Sequence, residues 1–139
     1  MADKAATVLV TEAGFRPGDP GEVFVPADAA GDGAGTLRIE LAADGDPASV
    51  ARHFARASVI RIPFGGFADG RGFTLARELR RLGYQGRIRA SGHVISDQWG
   101  MARACGIDEV EISAEQARRQ PEAAWATAGE GPRYLDVLR

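Results

Sequence analysis

Cysteine, lysine and histidine are nearly missing from this chain: one Cys (Cys105), one Lys (Lys4) and two His in 139 residues. A single thiol excludes an intrachain disulfide. It also leaves no ligand set for a thiolate-held iron–sulfur cluster or a structural zinc site within one chain. His53 and His93 stand far apart in sequence, and the acids do not cluster as in a magnesium or calcium loop, so neither a metal nor a cofactor is expected. Cys105 closes a predicted helix and reads as a small buried hydrophobe and not as a nucleophile. The net charge of -2 and the lack of a basic stripe give a nucleic-acid partner no electrostatic support. No apolar run approaches a membrane span, and "MADKAATVLVTEAG" lacks the apolar core of a signal peptide. The expectation is a cytoplasmic protein without a membrane partner.

What is present suits one globular domain: 45% apolar and 26% charged residues supply both a core and a solvated surface. Residues 1–35 are rich in Gly, Pro, Ala and Asp. Two β-type runs, "TVLV" and "EVFVPA", flank the turn-rich "TEAGFRPGDPG" and read as a loose hairpin or two extended arms, with "AGDGAG" (30–35) as a flexible joint. Residues 36–139 are regular. "TLRIEL" is a strand, and "DPASVARHFARA" a helix with Asp46 as N-cap and Pro47 at its first position. "SVIRIPF" is the second strand. The helix after it buries Phe73, Ala76, Leu79 and Leu82, exposes Arg77, Glu78, Arg80 and Arg81, and stops at Gly83. "GRIRAS", "SDQWGMARAC", "DEVEIS" and "AEQARRQ" continue the alternation, Pro121 ends or kinks the last helix, and the tail offers Tyr134, Leu135 and Leu138 for docking.

The order βαβαβαβα predicts an α/β fold with a parallel sheet and right-handed crossovers. Its strands alternate, whereas strands covered on both faces read as continuous apolar runs. Leu37, Ile39, Leu41, Ile60, Ile62, Ile88, Val110 and Ile112 form one face. Arg38, Glu40, Arg61, Arg87, Arg89, Glu109 and Glu111 form the other. Two geometries follow: a half-TIM-barrel-like sheet with a polar inner face, or a small open parallel sheet whose charged face is solvated or covered by the N-terminal arms. Two protomers packing their charged faces together would make a homodimer.

Ligands of parallel sheets gather at the carboxyl ends of the strands, where Asp44, Asp46, Ser91, Ser96, Ser113 and Glu115 are expected. The stretch "FGGFADGRG" (64–72) lies there too. Gly65 and Gly70 have P-loop spacing, but Arg71-Gly72 stand where Lys and Ser/Thr are required. Leu75 occupies the third position of a dinucleotide fingerprint. Both nucleotide motifs fail. Backbone N–H groups at a helix start, with Arg71 beside them, can still hold an anion. Asp69 reads as the residue that shapes or caps this loop, with Gly70 and Gly72 at positive φ. His93 follows Gly92 after a strand, with Asp97 four residues on to orient its ring. The candidate ligand set is Asp69, Gly70, Arg71, Gly72, Arg89, His93, Asp97 and Gln98. His93 and Asp97 are the catalytic candidates, although the residues do not decide whether chemistry occurs. His53 reads as surface, and Trp99 as packing.

The ordered motifs Asp69-Gly70-Arg71-Gly72, Arg77, Arg80, Gly86, Arg89-Ala90, Gly92, Asp97-Gln98 and Cys105-Gly106-Ile107-Asp108 resemble the bacterial domain of unknown function nine-three-four. His93 departs from the acidic residue usual there, and Ser96 from a basic one. Members of that family are often encoded beside sulfite reductase. The resemblance implies an accessory role in assimilatory sulfite reduction, with sulfite reductase as partner, and brings no established catalytic residue. Two functions are therefore expected in parallel: an accessory protein that binds a protein or a small anion, and a small barrel-like enzyme, an oxidoreductase among the options, with an anion site at the rim of the sheet.

Overall fold

Alternating sequence becomes cross-strand register in the computed structural model, which describes residues 6–66 and 70–128. Seven strands form one open, mixed sheet: β1 (Thr7–Thr11), β2 (Gly14–Pro17), β3 (Val25–Pro26), β4 (Leu37–Glu40), β5 (Ala57–Phe64), β6 (Arg87–Gly92) and β7 (Glu109–Ser113). Their spatial order is β2-β1-β7-β6-β5-β4-β3. β1 runs antiparallel to both β2 and β7, and the remaining pairs are parallel. Residues paired across strands project to the same face. One row therefore reads Ile62, Ala90, Val110, Val10, all buried, and another reads Glu40, Arg61, Arg89, Glu109.

The apolar face packs against α1 (Arg71–Arg81), α2 (Trp99–Ala104), α3 (Ala114–Arg119) and α4 (Glu122–Ala128). α1 contributes Phe73, Leu75, Ala76 and Leu79, and the Phe73 and Phe64 ring centroids lie 5.0 Å apart. Leu82, expected in this stripe, is 38% exposed because the helix ends there and Gly83 turns the chain at φ +103°. Trp99 meets Trp125 edge-on at 6.3 Å, and the Trp125 indole N–H donates to Gln120 O. Pro121 separates α3 from α4. The tail residues Tyr134, Leu135 and Leu138 lie outside the described residues.

Four expectations need correction. Residues Pro47–His53 form a 3₁₀ helix, capped by Asp46 as anticipated through Ala48 N–H donating to its Oδ1 at 2.9 Å. At three residues per turn, positions i and i+3 eclipse, so Val50 and His53 share the inward face. His53 is consequently buried, its Nε2 accepting from Arg52 Nε–H at 3.2 Å. Arg80 is also buried, although helical periodicity placed it in water. Finally, "TVLV" pairs with "GFRP", which read as turn, because the chain reverses within Glu12–Ala13. There the Thr11 hydroxyl bonds the turn and Gly14 adopts φ +109°.

β2 and β3 occupy opposite edges of the sheet, so residues 18–24 cross an entire face. Six interstrand spacings amount to roughly 29 Å along the sheet. A strap whose Asp19 carbonyl accepts from Glu22 N–H, closing a turn, reaches only about 24 Å between Pro17 and Val25. The sheet is therefore curled about the face that the strap covers, yet it does not close. At the far end of the N-terminal region, Arg56 donates to the carbonyls of Gly31 and Gly35 and ties down the glycine-rich segment.

Candidate functional site

The rim is built where β5 and β6 end side by side, with Phe64 in register with Gly92. His93 N–H donates to Phe64 O at 3.1 Å, which fixes the backbone of His93 beside the start of the glycine loop. Gly92 has φ +92°, and a Cβ there would lie 2.8 Å from Phe64 O. Gly72 is equally constrained, since its Cβ would fall 2.3 Å from Phe64 Cζ. Neither Gly70, at φ -88°, nor Gly72 has the positive φ expected of it. Gly72 is glycine because an aromatic ring lies against it.

Gly65, Gly66 and Gly70 differ from these. Among the described residues, a Cβ at any of them would meet nothing within 4 Å, and none has a positive φ. Gly70 is the N-cap of α1 without a side-chain cap, and its carbonyl accepts from Phe73 and Thr74 N–H at 3.2 and 3.5 Å. Arg71 opens the helix and lines a depression of about 300 Å³ together with Asp44, Thr74 and Glu78. Glu78 is paired with Arg81, whose hydrogen bond holds its carboxyl below the ordinary value. Asp69 lies outside the described residues.

His93 and Asp97 are both exposed on the segment following β6. Gln98 works locally: its Oε1 accepts from Ile95 N–H at 3.0 Å while its own N–H donates to Ile95 O at 2.9 Å. Ser96, buried, donates its N–H to Gln120 Oε1, and Ser113 caps α3 by accepting from Gln116 N–H. Cys105 is buried, with Arg77 Nε–H donating to its sulfur at 3.3 Å.

Arg89 stands apart from this rim, in the interior of β6 on the polar face. Its Nε–H donates to Glu109 at 2.6 Å, and its Nη1 reaches Glu111 at 2.9 Å. Both Nη atoms grip Glu22 of the strap, at 2.8 and 3.2 Å. Burial would push this guanidinium pKa down; the hydrogen bonds and charges of Glu22 and Glu109 outweigh it and raise it. Reciprocally, the Arg89 hydrogen bonds hold the Glu22 carboxyl below its ordinary value, against the opposing effect of burial. Arg61 pairs with Glu40 at 2.8 Å and Glu111 at 3.4 Å, and its guanidinium lies 3.8 Å from the centroid of the Phe24 ring. Arg87 pairs with Glu109, and Arg38 approaches Glu22 at 3.6 Å.

Glu22 and Phe24 were not anticipated from the sequence as site residues. Their only signal was their spacing within "EVFVPA": positions i and i+2 of an extended run face the same way. Among the described residues, no group of three or more His, Cys, Asp or Glu is arranged to hold a metal ion, and no helix is long and apolar enough to cross a membrane.

Residues 38–130 match the model of a family described as a bacterial protein of unknown function, DUF934. Neither a curated protein nor a solved structure matches the chain.

Proposed function

The chain belongs to the bacterial DUF934 family, and from that premise we propose that it is an accessory protein of assimilatory sulfite reduction that binds a small oxyanion at the rim formed by Gly65, Gly66, Gly70 and Arg71. The observation that carries this reading is the set of three glycines that neither φ nor contact with any described residue requires. Glycine costs about 0.5–1 kcal/mol relative to alanine in chain entropy, so three in one loop need a reason beyond the fold. Bare backbone at the start of an eleven-residue helix supplies one. It lets an anion approach N–H groups and the positive end of the dipole, with Arg71 adding a fixed charge. The sulfur assignment rests on the sequence resemblance, because members of that family are often encoded beside sulfite reductase.

Thermal unfolding of the purified protein with sulfite, sulfate and phosphate tests the site. Sulfite or sulfate raises the midpoint of the wild type and leaves Arg71→Gln unmoved; a wild type that none of the three stabilises contradicts the reading. Reconstitution with sulfite reductase tests the accessory role, through a change in sulfite turnover when the protein is added. An enzymatic reading stands beside this one because His93 is tied to Phe64, next to Gly65. The two separate cleanly: an accessory binder returns the anion unchanged, whereas an enzyme consumes it and loses turnover in His93→Gln.

A further inference from the structure

The strap over the polar face points to a second binding site, independent of the rim. Its ends are pinned, by Gly18 N–H donating to Thr7 O at 2.9 Å and by β3 pairing with β4. In between, it grips the sheet face through Glu22 on Arg89 and Arg38 and through Phe24 on Arg61. A groove of about 720 Å³ runs beneath and beside it, lined among others by Thr7, Pro17, Phe24, Arg61 and Glu111. The strap thus bridges space instead of filling it. Extended-chain alternation turns Glu22 and Phe24 inward and leaves Val23 outward, 69% exposed.

The charges on the sheet face show what can replace the strap. The strands bring five cations (Arg16, Arg38, Arg61, Arg87, Arg89) and three carboxylates (Glu40, Glu109, Glu111), a surplus of two positive charges that Glu22 halves. The Arg89 side chain is 1% exposed; Glu109 and Glu111 stay on it when the strap lifts, but both of its Nη–Glu22 hydrogen bonds break. A segment that delivers a carboxylate to Arg89 and a flat apolar group to Arg61 restores what lifting the strap removes. We propose that this face is a docking site for an extended acidic segment of a partner protein, carrying a carboxylate and an aromatic residue two positions apart, and that Glu22–Phe24 holds the site in cis until such a segment displaces it.

A fluorescent peptide with the sequence of residues 18–26, GDPGEVFVP, is the probe. Glu22→Gln/Phe24→Ala protein, shown to be folded by its cooperative melt, binds it at least ten-fold more tightly than the wild type. The peptide with Gln in place of its Glu does not bind. No binding to the folded double variant, or binding indifferent to the peptide's carboxylate, overturns the proposal. So does a strap that exchanges between two copies, seen as a peptide-independent dimer of the double variant. Should that variant not fold, hydrogen exchange of the wild type decides. Strap amides 19–24 that open at least a hundred-fold more readily than those of β5 support displacement, and strap amides that open only with global unfolding overturn it.

Discussion

Arg80 occupies the last turn of α1, where helical spacing puts it beside water-facing Arg77 and Arg81, yet its side chain is 3% exposed. The cause lies in the turns that end α1 and α2. Carbonyls there have run out of helical partners, and Arg80 collects Tyr84 O, Gly86 O and Gly106 O together with the Asp108 carboxylate. No periodicity rule shows this, because the acceptors come from two connections that only the fold brings together. Removing the side chain leaves a carboxylate and several carbonyls without their donor. Arg80→Ala is therefore expected to lower unfolding free energy by about 3 kcal/mol or more, read from urea titrations. Arg80→Lys recovers only part of it, since an ammonium cannot reproduce the planar fork. Arg71, by contrast, was legible as a rim residue from its place between a strand and a helix.

Among the elements, the strands announced themselves best. The alternation of Arg38-Ile39-Glu40 and Glu109-Val110-Glu111 passed directly into a two-faced sheet. The segment after β4 was harder. Its cap and its Pro47 were visible, but α and 3₁₀ helices share those start signals, and only the wound chain shows that Val50 and His53 face inward together. The cap still counts: Asp46→Ala should cost about 1 kcal/mol, measured by the same titration. The edge strand β2 was obscured by its glycine and proline, whereas β3 lies within the β-type run "EVFVPA". Residues that terminate pairing at an edge are the same residues that mark a turn.

Over the whole molecule, the sequence left a choice between a curled, barrel-like sheet and an open sheet covered by its own N-terminal arms. Both features are present in part: the sheet is open, and the strap that spans it is too short for a flat one. The choice was not legible earlier because Glu22 meets Arg89 across 67 residues of chain. That contact has a pH signature. The folded pKa of Glu22 lies below its unfolded value of about 4.5, so its contribution is fully present above that value and is lost as pH falls through the folded pKa. Acid unfolding of the wild type should therefore carry a component below about pH 4.5 that Glu22→Gln lacks. Identical acid limbs in the two proteins would show that the strap contact adds no stability.

The claim on which the functional account turns is that the loop glycines serve a ligand and not the fold. The Gly65→Ala/Gly70→Ala protein, melted with and without sulfite or sulfate, tests it most directly. Neither alanine meets a described residue within 4 Å, and each substitution removes unfolded-chain entropy worth about 0.4–1 kcal/mol at a compatible site. The account predicts a ligand-free midpoint equal to or above that of the wild type, and an oxyanion-induced rise that disappears. A variant that keeps the full rise, or one whose ligand-free midpoint falls, contradicts it.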